Sequence, residues 1–265
     1  MIANFFQSLD RHAVDYLLIS GQAAVLYGAA TFSEDIDLWI NPTRENCTRF
    51  TQSLHEIGAC YYKLTPPLKP GLLARGHGFH FTLGHNMKSE VFLDIMGTPP
   101  RVGSFQQAQN EAKWMETEWG RLRTIGLKEL VELKKTQRLE DYPVISNLVL
   151  AWFAEARSPK IPSEYSWALQ NIFTLTALRA FFEDQSDAVE TAEPDCLKDF
   201  GHYIIAGRDV PERIENQVTS MIQERMAELQ IADRRYWRPI IAELKQMRSG
   251  GELIPQGQKV QGIEY

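Results

Sequence analysis

Ile19-Ser20-Gly21-Gln22-Ala23-Ala24, followed shortly by Ser33-Glu34-Asp35-Ile36-Asp37-Leu38, is the stretch that decides the fold. It reads as a strand, a glycine turn, a short helix of small residues and a second strand carrying two aspartates two residues apart. Alternate side chains of a strand point to opposite faces, so Asp35 and Asp37 share one side while Ile36, Leu38 and Ile40 are buried on the other. Two carboxylates about 4 Å apart repel by roughly 4 kcal/mol at an effective dielectric near 20, so a cation is expected between them. Hard oxygen donors of this kind suit Mg²⁺, which binds one or two protein carboxylates together with substrate phosphates. The chemistry this predicts is metal-assisted phosphoryl or nucleotidyl transfer.

Outward from that stretch, apolar residues at Ile2, Phe5, Phe6, Leu9 and Val14 predict an amphipathic helix over 2–14, leading into a strand at 16–19. The short helix 22–27 is stopped by Gly28, the second strand runs 35–40, and Thr43 caps a helix that lasts to Gly58. Prolines and glycines over 64–78 predict a long loop. Strands at 79–83 and 91–96 form a hairpin whose turn begins Gly84-His85-Asn86. A short helical stretch at 104–112 precedes a second hairpin, 114–119 with 121–125, around Gly120. Helices are expected over 127–139 and 142–156, with Pro143 tolerated in a first turn. Ser158-Pro159-Lys160-Ile161-Pro162 is the linker candidate. Beyond it the pattern is helical over 164–183, 194–206, 211–230 and 233–248, where Ser249-Gly250-Gly251 ends the last helix. The expected fold class is α+β: a mixed β-sheet with flanking helices over 1–157, then an all-helical region over 163–265.

Composition narrows the function classes. Three cysteines, Cys47, Cys60 and Cys196, are odd in number and lack metal or redox spacing, which predicts a reducing, cytoplasmic setting. The start has no basic, then apolar, leader pattern, and no segment reaches about 18 apolar residues, so no membrane span is expected. A net charge of -6 argues against a broad DNA-binding or other sequence-independent nucleic-acid surface. A local basic groove for one triphosphate or one RNA end remains compatible with it.

An acid-x-acid pair alone is weak, because 34 acidic residues in 265 give roughly four such pairs by chance. Glu116-Thr117-Glu118 and Glu193-Pro194-Asp195 are pairs of that kind, without a preceding glycine turn. Around Asp35 and Asp37 the strand, turn and short helix bring backbone amides near the carboxylates, a plausible phosphate cradle. A third carboxylate is expected from a neighbouring strand, and Asp94 in Glu90-Val91-Phe92-Leu93-Asp94-Ile95-Met96 is the candidate, against the alternative of a buried salt bridge. Lys134 and Arg138, four apart on the expected helix 127–139, would project together toward a triphosphate, against the alternative of a solvated charged face. His77, His80 and His85 argue little for zinc, because glycine-rich chain and a hairpin turn separate them and no cysteine is near, although His80 could face the site from its strand.

These residues resemble the DNA polymerase β-like nucleotidyltransferase superfamily, more narrowly the bacterial minimal nucleotidyltransferases that include abortive-infection type toxins. Ile19-Ser20-Gly21-Gln22-Ala23-Ala24 is similar to the first signature, and Ser33-Glu34-Asp35-Ile36-Asp37-Leu38 to the metal-binding one. Leu127-Lys128-Glu129-Leu130 through Lys134, Arg138 and Asp141 resembles a later lysine and aspartate motif. The resemblance covers about the first 155 residues, and Ser20 stands where the family usually has glycine.

The resemblance implies a nucleotidyltransferase-type sheet and two Mg²⁺ ions at Asp35, Asp37 and Asp94. Ser20, Gly21 and Ser33 would meet the nucleotide phosphates, and Lys134 and Arg138 the triphosphate tail. The implied reaction moves a nucleoside monophosphate from a nucleoside triphosphate to an acceptor hydroxyl on tRNA, protein or a small molecule, with Asp94 as general base. A cognate antitoxin is an implied partner. Two alternatives stay open: a catalytically silent binding module, and an aminoglycoside-type antibiotic nucleotidyltransferase.

Overall fold

Every residue of Tyr16–Ile19 (β1) is buried, and around this strand a seven-stranded sheet is built in the order β3-β4-β5-β2-β1-β7-β6. The other strands are Ile36–Ile40 (β2), Cys60–Tyr61 (β3), Phe79–Leu83 (β4), Val91–Met96 (β5), Lys113–Thr117 (β6) and Gly120–Thr124 (β7). The sheet is mixed: β1 with β7 and β2 with β5 are parallel, and the remaining pairs are antiparallel. The computed structural model describes residues 1–84, 90–155 and 160–265. The turn expected at His85-Asn86 and the start of the linker at Ser158-Pro159 lie outside the described residues. Contacts divide the chain into a sheet unit, Met1–Leu26, Thr31–Leu133 and Arg235–Tyr265, and a helical unit, Tyr27–Ala30 and Lys134–Arg234.

In the sheet unit, Ile2–Arg11 (α1) and Arg44–Glu56 (α3) contact each other and supply Phe5, Phe6, Leu9, Phe50 and Leu54 to the principal core. The strands reach that core with alternate residues: Tyr16 and Leu18, Ile36, Leu38 and Ile40, Phe79, Phe81 and Leu83, Leu93 and Ile95. Thr43 caps α3 as expected, its hydroxyl accepting from the Asn46 amide at 3.2 Å. Trp39 points away from this core, meets Phe105 of Phe105–Glu111 (α5) edge to face at 5.6 Å and donates from Nε1 to the Gly97 carbonyl at 2.9 Å. Ser20–Leu26 (α2) packs against β1, β2 and Leu127–Leu133 (α6).

Several expectations are corrected. The stretch 64–78 is not all loop, because Pro70 opens the short helix Pro70–Ala74 (α4), where its missing N–H costs no helical bond. The helix expected over 127–139 ends at Leu133. Past that point Asp141 gathers the polar groups, accepting from Lys134 Nζ at 2.7 Å and Thr136 Oγ1 at 2.6 Å, while the Tyr142 hydroxyl donates to the Thr136 carbonyl at 2.8 Å. Side chains of this kind compete with helical hydrogen bonds and stop the helix early.

The helical unit holds Asp141–Glu155 (α7), Pro162–Asn171 (α8), Leu175–Asp184 (α9), a 3₁₀ turn at Ser186–Thr191, Asp195–Ile205 (α10) and the first part of Glu212–Ser249 (α11). The single helix expected over 164–183 is two, since Thr174 caps α9 through the Ala177 amide. The two helices expected over 211–230 and 233–248 are one, with Pro239 inside it. Phe153 and Phe181 pack edge to face at 4.9 Å, and Phe182 and Phe200 extend this core.

The expected all-helical character stops short of the C-terminus. From Arg235 the chain belongs to the sheet unit, and its last residues bridge Lys259 to Cys60 and Ile254 to Thr65, beside β3. Val260 is 1% exposed and joins the principal core. These single bridges lack the run of alternating residues that marks a strand in sequence.

Candidate active site

Strand register carries the acids into one row. Asp37 is the partner of Asp94 across the parallel pair β2–β5, and Asp94 is the partner of His80 across the antiparallel pair β5–β4. Partnered residues point to the same face, and neighbouring strands lie about 4.8 Å apart. Ile36 and Leu38, Leu93 and Ile95, Phe79 and Phe81 belong to the principal core, so His80, Asp94 and Asp37 face the other way. On the far side of Asp37, its partner is Ile19, the last residue of β1 before Ser20. Asp35 lies just before β2 rather than in it, and all three aspartates are half-buried.

No separate turn precedes the helix expected over 22–27: β1 runs directly into α2, whose first two residues are special. Ser20 has φ +59, a left-handed conformation that favours glycine and is uncommon for other residues. This backbone therefore holds a glycine-type geometry with a serine in it. Such strain, of order 1–3 kcal/mol, clusters at sites where surrounding structure enforces it. Gly21 is required by close approach: a Cβ there would stand 2.2 Å from Ser33 Oγ. The Ser33 loop is held over the turn, since Gln22 Nε2 donates to the Ser33 carbonyl at 2.9 Å and Ser33 Oγ donates to the Asp35 carbonyl at 3.4 Å. Ser20, Gly21, Ser33 and Asp35 therefore form one connected piece of backbone. The role of Gln22 was not legible beforehand, because nothing in the sequence marks which side chain closes the loop.

His80 Nδ1 and Asp94 Oδ1 are 2.7 Å apart, with both side chains 31% exposed. An ionised carboxylate only accepts, so Nδ1 carries the proton. His77, by contrast, is fully buried and lies 2.8 Å from Glu243 Oε2, away from this row. The bond from Arg75, followed by that from His77, holds the Glu243 carboxyl below its ordinary value.

Among the described residues, no three His, Cys, Asp or Glu side chains stand as a group that could hold a metal ion. The donors present still fit Mg²⁺ in kind. Asp35 and Asp37 offer hard oxygen ligands, and Mg²⁺ takes one or two carboxylates and completes its shell with phosphate and water.

Lys134 and Arg138 belong to the helical unit and do not share a helix face, because α6 has ended before either. Lys134 is paired with Asp141, at 11% and 12% side-chain exposure, whereas Arg138 is exposed. Asp141 is thus the organiser of this segment.

No helix among the described residues is long and apolar enough to cross a membrane. No protein-family model matches the chain, and no curated protein matches it. Among solved structures it is similar to an antigenic nucleotidyltransferase-like protein from Paracoccidioides brasiliensis, at 16% identity over 72% of this chain and 89% of that one, with a TM-score of 0.41.

Proposed function

We propose that the sheet unit is a Mg²⁺-dependent nucleotidyltransferase, moving a nucleoside monophosphate from a nucleoside triphosphate to an acceptor hydroxyl. The observation that carries this reading is the register of Asp37 with Asp94, and of Asp37 with Ile19, which the left-handed Ser20 follows directly. Asp35 and Asp37 hold the cation together with phosphate oxygens. When bound, Mg²⁺ neutralises charge on the reacting phosphate and its pyrophosphate leaving group. The backbone of Ser20 and Gly21, kept open by the missing Cβ at Gly21, approaches the phosphates, and Ser33 fixes the distance between that turn and Asp35. Asp94 accepts the proton of the acceptor hydroxyl with the oxygen that His80 leaves available. The reading rests on neither Lys134 nor Arg138. A toxin role with a cognate antitoxin belongs to the same proposal only through the resemblance of the two motifs.

The test is incubation of the chain with each labelled nucleoside triphosphate, Mg²⁺ and fractionated tRNA, protein and small-molecule acceptors. Label should pass to one acceptor class in a Mg²⁺-dependent way. Transfer that persists in an Asp35→Ala, Asp37→Ala variant would reject the site.

One observation favours a second reading, the silent binding module. Asp94 is engaged by His80, and no three-ligand metal group stands ready among the described residues. In that case nucleotide binds without Mg²⁺ dependence or does not bind, and no label moves.

A further inference from the structure

We infer that His80 is a positioning residue for Asp94, fixing the orientation of the carboxylate that receives the acceptor proton; the inference rests on the nucleotidyltransferase reading above. Register alone puts the two Cα atoms opposite one another, and the 2.7 Å contact between Nδ1 and Oδ1 commits one carboxylate oxygen and leaves the other for the site. A carboxylate otherwise free to rotate about its last torsion is held in one plane by such a bond. The ring lies beside Gly78, where an added Cβ would stand 3.8 Å from Nε2 and 3.9 Å from Cε1, in ordinary contact.

The entry to β4 is anchored just upstream, since fully buried His77 is bonded to Glu243 at 2.8 Å. The exit of β5 is anchored as well, because the Tyr236 hydroxyl donates to the Thr98 carbonyl at 2.8 Å and Trp39 donates to the Gly97 carbonyl at 2.9 Å. Backbone on both sides of the pair is thus held, and the hydrogen bond extends that order to the carboxylate. Stability alone gives little reason for the pair: at 31% exposure on both sides, a polar contact of this kind contributes little to folding. Its return lies in orientation. Partners of this kind behind a reacting or ligating group typically alter activity or metal affinity by about 10–100-fold.

Full-length His80→Ala and His80→Asn variants test this, the asparagine placing an amide N–H where Nδ1–H stands. At saturating nucleoside triphosphate, His80→Ala should lose about 10–100-fold in kcat with KM changed less than about threefold. His80→Asn should recover most of that loss, and His80→Ala should add nothing in an Asp94→Ala background. Histidine side-chain NMR gives a readout apart from turnover: the His80 Nδ1–H signal should be present in the native chain and lost or shifted in Asp94→Ala. Equal kcat in native and His80→Ala chains overturns the proposal, as does an asparagine variant no better than alanine at equal thermal stability. An Nδ1–H signal indifferent to Asp94 overturns it too. If the native chain transfers no label and binds no Mg²⁺-nucleotide, the nucleotidyltransferase reading is what fails, and the NMR signal alone then decides whether His80 holds Asp94.

Discussion

The turn from β1 to β2 and the segment after α6 both gather charged side chains beside a short helix, and they are organised by opposite means. In the first, backbone ladders set the positions: Ile19, Asp37, Asp94 and His80 are successive partners across four strands. In the second, side chains set the backbone, since Asp141 draws in Lys134 and Thr136 and ends α6 at Leu133. A ladder presents its carboxylates to whatever approaches the sheet face. A local cluster consumes its charges internally, and Lys134 at 11% exposure is largely consumed. Charge in the sequence is therefore a poor guide to charge available for a ligand until the backbone around it is known.

Breaking the first region should have the largest effect. Asp37→Ala is expected to lower nucleotidyl transfer by about 10³-fold or more, the loss of several kcal/mol of metal-borne stabilisation, with little change in thermal midpoint. Initial rates beside melting curves check this, and an unchanged rate would place the chemistry elsewhere. Gly21→Ala should weaken Mg²⁺-nucleotide binding by about 10–100-fold, because the new methyl displaces Ser33 and with it the Asp35 loop. Calorimetric titration reads that change, and unaltered affinity would mean the turn takes no part in binding.

The second region should respond in stability instead. Lys134→Ala leaves a mostly buried Asp141 with one partner fewer and is expected to cost about 2 kcal/mol, whereas Arg138→Ala, at an exposed position, should stay within about 0.5 kcal/mol. Denaturant titration separates the two. Should Lys134→Ala reduce transfer at unchanged stability, the contrast between the regions is broken and the lysine has a ligand.

The smallest effect concerns pH. Glu56 joins α3 to α1 by accepting from Arg11, His12 and Ser8, and these bonds pull its carboxyl from 4.5 down to about 2. A depressed carboxyl pKa contributes stability that is fully present above about pH 4.5 and is lost as pH falls toward 2. Melting curves across that window should fall less steeply for Glu56→Gln than for the native chain. Parallel curves would remove Glu56 from the acid response.

The sheet was legible because its signal is short-ranged. Parity along 36–40 and 91–96 assigns faces without knowledge of the partner strand, and it placed Asp37 and Asp94 on the face opposite Ile36, Leu38, Leu93 and Ile95. Register, which brings His80 beside Asp94, depends on pairing across strands, and the sequence showed only that His80 could face the acids from its strand. What the sequence hid was long-ranged or competitive: the return of 250–265 beside β3, the capture of Lys134 by Asp141, and the continuity of α11 across 230–233. Ser20 lies between these cases. That a serine precedes Gly21 was plain, but that its backbone adopts a glycine-type φ of +59 was not.

The central claim, that Asp35 and Asp37 hold Mg²⁺ at the Ser20-Gly21 turn, is met most directly by calorimetric titration of nucleoside triphosphate into native and Asp35→Asn, Asp37→Asn chains, with and without Mg²⁺. Binding that appears only with Mg²⁺ in the native chain and vanishes in the variant is the predicted result. Equal binding by both chains, or binding indifferent to Mg²⁺, would contradict it.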